Sequence, residues 1–145
     1  MSTTIRDLFD RGTEAFNAHD LDAFAATMAD DVVVSASGGV HIEGRAAAGH
    51  FYGAWMRAFS DARVEIRALH VTNDVAVEEG VFHGTHDGVL HSPEGDLPPT
   101  GRAVSIDYIQ VLRVRDGRTS GFSLMFDRLQ MLEQLGVAPG AAAAV

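Results

Sequence analysis

The stretch AFSDARVEIRA, residues 58–68, changes its period halfway. Up to Phe59 the apolar residues Ala48, Phe51, Tyr52, Trp55 and Phe59 recur three or four apart, the spacing of one helix face. From Ala62 onward, Ala62, Val64, Ile66 and Ala68 alternate with Arg63, Glu65 and Arg67, which predicts a strand with one wet face. The helices therefore come first and the long strands after, an α+β order in which helices cover one face of a single sheet.

Working back from that switch, Ile5, Leu8, Phe9, Gly12 and Phe16 predict a first amphipathic helix, with Thr4 and Asp7 placed as in a capping box. A second short helix is expected after Asp20, with Leu21, Phe24 and Met28 on one side and the polar ADD at its end. VVVSAS, residues 32–37, predicts a strand, and GGVHIEGR a turn and short strand before the third helix. Working forward, strands are expected near 75–85 and 103–114. The segment HSPEGDLPPTGR reads as a loop between them, and RDG turns the chain into the last strand. That strand ends at Asp127, three residues before Gln130. Leu129, Leu132 and Leu135 follow at helical spacing, so Asp127 is either the cap of a last helix or an acid/base group.

Composition narrows the function. A chain of 145 residues with 46% hydrophobic and 21% charged residues supports one ordinary core, expected over residues 1–136, with 137–145 as a flexible tail. It has no cysteine, which removes disulfides, thiolate metal sites and cysteine nucleophiles and fits a cytoplasmic protein. A net charge of −9 disfavours nucleic acid and anionic membrane surfaces as partners. No signal peptide or spanning segment is readable.

The pieces AFNAHDLDAFAATMADDVVV, IEGR, AFSDARVEI, GTHDG, PPTGRAV, VLRVRDGR and FDRLQMLEQLG resemble, in order and spacing, the SnoaL-like polyketide cyclases of the nuclear transport factor 2-like superfamily. The resemblance runs over about residues 5–136. It implies a cone-shaped α+β barrel, with a curved, mostly antiparallel sheet and three N-terminal helices over its concave face. It also implies a homodimer, a pocket for a small apolar molecule, and acid/base catalysis with neither metal nor organic cofactor. The family's titrating residues lie on the last two long strands, at positions that fall here on Gln110 and Leu124. Neither can move a proton, so a non-catalytic binding protein stands as an alternative; an epoxide-hydrolase-like enzyme, which would want the acid pair Asp107 and Asp127 with an arginine such as Arg113 inside the pocket, stands third.

Two registers are open for the last hairpin. A two-residue Asp116–Gly117 loop would pair Arg115 with Arg118 and mix apolar with polar faces; a bulged turn pairing Val114 with Arg118 would keep Ile106, Tyr108, Gln110 and Leu112 with Phe122, Leu124 and Phe126. The second keeps apolar with apolar and makes Tyr108, Gln110, Phe122, Leu124 and Phe126 the cavity wall, with Trp55 and Phe51 facing them from the third helix. Ile109 and Val111 then point outward, toward a dimer partner. His83 and His86 differ by an odd number along a strand and cannot share a metal. His86 has the parity of Phe82 and Gly84, and is expected to line the cavity as a catalytic donor or acceptor alongside Asp127.

Overall fold

The computed structural model describes residues 4–92 and 95–137; of the expected tail, only Val137 lies within them. The helix α1 (Ile5–Asn17) starts where the Thr4 side chain accepts from the Asp7 N–H, and it buries Leu8, Phe9, Ala15 and Phe16 along one face. A five-residue helix, α2 (Leu21–Ala25), is capped by Asp20 and buries Phe24. It stops earlier than the sequence predicts. Met28 already belongs to β1 (Met28–Ala36), whose Asp30 and Asp31 are exposed strand residues rather than a helix break. Next come β2 (Val40–Glu43) and α3 (Arg45–Ala58), which buries Ala48, Tyr52, Gly53 and Met56.

The long strands follow: β3 (Arg63–Val71), β4 (Val75–Thr85), β7 (Ala103–Arg115) and β8 (Arg118–Phe126). Between β4 and β7, in the segment read as a loop, β5 (Leu90–Ser92) and β6 (Gly95–Leu97) form a small separate hairpin. A further helix, α4 (Arg128–Gln134), closes the described chain. The main sheet has the order β2-β1-β8-β7-β4-β3. Among the described residues, only the β1–β8 pairing is parallel. The sheet is open, with β2 and β3 as edges, so the cone is a curved half-shell rather than a closed barrel.

The last hairpin resolves the two registers by combining them. Asp116 and Gly117 both have positive φ (52° and 73°) and make a two-residue turn with Arg115 opposite Arg118. One step further the register shifts. Val114 faces Thr119 but Arg113 faces Gly121, leaving Ser120 as an extra residue. The bulge lies in the strand, not in the turn, and it restores the parity that burial demands. Leu112 meets Phe122, Gln110 meets Leu124 and Tyr108 meets Phe126. Continuing across the sheet, Glu78 lies opposite Gln110, and Gly80 opposite Tyr108. This face carries the core, roofed by the aromatic rings of α2 and α3: Tyr52 packs edge-on to Phe24 at 5.1 Å and against Phe122 at 5.3 Å.

Candidate functional site

Between the concave sheet and the helices lies a cavity of about 90 Å³. From β7 and β8 it is walled by Ile106, Tyr108, Gln110, Leu112, Phe122, Leu124 and Phe126. Trp55 and Tyr52 of α3 and Leu8, Phe9, Gly12, Thr13 and Phe16 of α1 close the other side. Of the wall residues read from the sequence, the structure brings Tyr108, Gln110, Trp55, Phe122, Leu124 and Phe126 together. Phe51 is not among them: it packs edge-on against Tyr52 at 5.1 Å.

The polar heart of the cavity is Glu78, a residue the sequence reading passed over. It is 4% exposed. Tyr108 donates its hydroxyl to Glu78 Oε2 at 2.8 Å, and Gln110 donates from Nε2 to Glu78 Oε1 at 2.6 Å. Tyr52 in turn donates to Gln110 Oε1 at 2.7 Å. Strand geometry explains the convergence: Gln110 is the direct cross-strand neighbour of Glu78, and Tyr108 reaches it along the diagonal. That diagonal needs Gly80, because a Cβ there would stand 2.7 Å from the Tyr108 ring.

The donors around Glu78 are neutral, and among the described residues no arginine or histidine lines the cavity. Burial pushes the Glu78 carboxyl above the usual carboxylate range, while the hydrogen bonds from Gln110 and Tyr108 pull the other way. Burial, reinforced by the charge of Glu78, also pushes both Tyr52 and Tyr108 above the ordinary phenol range, so both remain donors at physiological pH. The arrangement is a single carboxyl, oriented by neutral donors, in an otherwise oily chamber. With its pKa raised above the ordinary carboxylate range, such a group is a stronger base than an exposed glutamate and can take and return a proton.

His86 and Asp127 stand elsewhere. Strand β4 ends at Thr85, and His86 follows it in an isolated bridge with Phe59. The Phe59 ring lies 5.4 Å from the imidazole and 5.2 Å from Phe82. The rings therefore run from the cavity-lining Phe82 through Phe59 to His86, and the imidazole is walled off, contrary to the placement its parity suggests. His86 is fully buried, and its Nδ1 accepts from the Thr100 backbone N–H at 3.2 Å. That places the ring proton on Nε2, which has no partner among the described residues. Burial pulls its pKa below the usual histidine value. Asp127 is exposed and caps α4, accepting from the Gln130 N–H at 3.0 Å. Asp107, the other acid of the long strands, is exposed on the outer face. Among the described residues no cluster of histidines and acids is arranged to hold a metal ion.

The signal for Glu78 was available. Two consecutive glutamates in one strand, Glu78 and Glu79, must point to opposite faces, and Glu78 has the parity of Ala76 and Phe82.

Residues 9–121 match the SnoaL-like domain family. No curated protein matches the sequence. Among solved structures, the chain resembles a proposed SnoaL-like polyketide cyclase from Jannaschia sp. CCS1, with a TM-score of 0.81 at 20% identity over 92% of each chain. IdmH of Streptomyces antibioticus, a proposed polyketide cyclase, gives a TM-score of 0.75 at 28% identity over 91% of this chain and 98% of that one. An LEH-like epoxide hydrolase of M. tuberculosis gives 0.66 at 18% identity, over 94% and 92% of the two chains.

Proposed function

The chain belongs to the SnoaL-like domain family, with its nuclear transport factor 2-like cone, and from that premise we propose that it is a cofactor-independent enzyme acting on a small, mostly apolar carbonyl metabolite, with Glu78 as acid and base. The observation that carries this reading is the buried Glu78 carboxyl held by Tyr108 and Gln110 at the wall of an aromatic cavity. In the step this supports, the Glu78 carboxylate removes a proton from the carbon beside a carbonyl. The C–H electrons pass into the enolate, and the enolate oxygen is stabilised by a neutral donor from the cavity wall. The new nucleophilic carbon then attacks a second carbonyl of the same molecule, as in a cyclase, or is reprotonated at another carbon, as in an isomerase. In either case Glu78 returns its proton.

The cavity volume, about 90 Å³, suits a single small ring; an engineered apolar cavity of roughly 150 Å³ holds benzene. A substrate of several fused rings exceeds this volume. The test uses 3-cyclopentenone, a ketone of matching size, and follows deuterium uptake at its α carbon together with conversion to the conjugated ketone. Acceleration by the protein, abolished in Glu78→Gln, supports the reading. Binding of this and related ketones or aromatic polyketide esters without any conversion supports the second reading, a non-catalytic binding protein, which the non-titrating Gln110 and Leu124 favour.

The outer face of the sheet supports a homodimer. Ile109 and Met125 are neighbours there and are 48% and 53% exposed, an apolar surface that a second copy would cover. Light scattering at micromolar concentration is expected to give twice the monomer mass, and a monomer would contradict the pairing.

A further inference from the structure

Tyr52 joins the cavity network from α3, whereas its three other members lie on the sheet. It is 5% exposed, and its ring is enclosed by Phe24, Phe51 and Phe122. Among the described residues its hydroxyl makes one hydrogen bond, to Gln110 Oε1 at 2.7 Å. A glutamine amide has an accepting end and a donating end, and its neighbours decide which end faces which way. Were the Gln110 amide reversed, its oxygen would face Glu78 Oε1 across the 2.6 Å now spanned by the N–H. Two acceptors would then be in contact unless Glu78 carried a proton. The Tyr52 hydroxyl would at the same time accept from the amide nitrogen and leave its own hydrogen among phenyl rings.

We propose that Tyr52 is a positioning residue: its hydroxyl holds the Gln110 amide with the nitrogen toward Glu78, so that Gln110 gives one N–H to the carboxylate and keeps its second for a carbonyl or enolate oxygen in the cavity. The inference rests on Glu78 being the acid/base group. Among the described residues Gln110 Nε2 has Glu78 as its one acceptor, which leaves that second N–H available. The direction does not reverse with pH, because burial and the nearby Glu78 charge keep the Tyr52 phenol protonated. Since a carboxylate accepting a hydrogen bond is favoured over its neutral form, the orientation of the amide is felt in the titration of Glu78.

The experiment is a pH titration of the Glu78 side-chain carboxyl by ¹³C NMR in the wild type, Tyr52→Phe, Gln110→Leu and the double variant, without ligand. Tyr52→Phe is expected to raise the Glu78 midpoint by about one pH unit, since the freed amide can turn its oxygen toward a protonated carboxyl. In the Gln110→Leu background the same substitution is expected to do nothing, because its effect passes through the amide. An unchanged midpoint in Tyr52→Phe, or a shift that persists without Gln110, overturns the proposal. If Tyr52→Phe does not fold, the wild type still decides: the ¹⁵N signal of the Gln110 side-chain amide must move with the Glu78 midpoint, and indifference to it overturns the proposal. Failure of the catalytic reading shows separately. Ketone exchange untouched by Glu78→Gln, with the titration effects intact, removes the base and leaves the positioning in place.

Discussion

Glu78 and His86 lie eight residues apart along one stretch of chain, with the same parity, and both are buried. Each is ionisable and each has a hydrogen-bonding partner. Yet Glu78 opens onto a cavity and is held by side chains from two other elements, Tyr108 and Gln110 on β7 and, through Gln110, Tyr52 on α3. His86 is fixed by the Thr100 backbone and shut in behind Phe59. Burial perturbs both, in opposite senses: the Glu78 carboxyl is pushed up and the His86 imidazole is pulled down, each toward its neutral form. A perturbed, buried group is therefore not yet a site. What separates the two is an empty volume against the group.

The sharpest way to break the comparison is to remove each group and measure proton exchange. Glu78→Gln is expected to slow α-deuterium uptake by 3-cyclopentenone by about 10²–10⁴-fold, the range of one positioned general base. His86→Ala, where it remains folded, is expected to retain the rate; the reverse pattern would transfer the chemistry to the imidazole.

Stability variants sharpen the same contrast. Gly80→Ala would place a Cβ 2.7 Å from the Tyr108 ring, so the ring must shift and its hydroxyl move off Glu78. A loss of about 1–3 kcal/mol in urea unfolding is expected, as for other overpacked sites. His86→Ala is expected to cost about 1–3 kcal/mol at pH 8, by leaving a void where the fully buried ring stood and freeing the part-buried Thr100 N–H of its acceptor. Because the folded imidazole has a lowered pKa, its contribution is present above the unfolded value of about 6.5 and is lost as pH falls below it. The gap between wild type and His86→Ala should therefore narrow on acidification.

The smallest effect belongs to Asp127. As a helix cap it is expected to contribute about 1 kcal/mol over Ala, and Asn should replace it within a few tenths, both read from thermal unfolding. A well-folded Asp127→Asn that no longer exchanges the ketone would show a second acid at work.

Much of this was legible in the sequence because periodicity reports burial. The switch at residues 58–68, the caps at Thr4, Asp20 and Asp127, and the shared face of Tyr108, Gln110, Phe122, Leu124 and Phe126 all follow from spacing and side-chain chemistry. The position of the bulge was not legible, since Ser120 and Gly117 both suit one and only strand pairing chooses between them. The sealing of His86 depends on the Phe59 ring, which arrives from the far end of α3, and parity along a strand says nothing of that. For Glu78 the parity of VAVEEG puts one of two glutamates on the inner face, but its role is not legible until Gln110 is placed opposite it.

The account turns on Glu78 being a buried carboxyl whose proton is held more tightly in the folded protein than in the unfolded chain. The direct measurement is the unfolding free energy of wild type minus that of Glu78→Gln, taken from pH 4 to pH 9. For a raised folded pKa, the stability contributed by this group is complete below the unfolded value of about 4.3 and is lost as pH rises through the folded value. The difference should therefore decline steadily with rising pH and level off once the folded carboxyl has ionised. A difference that stays flat across the range, or that grows in favour of the wild type as pH rises, would contradict it.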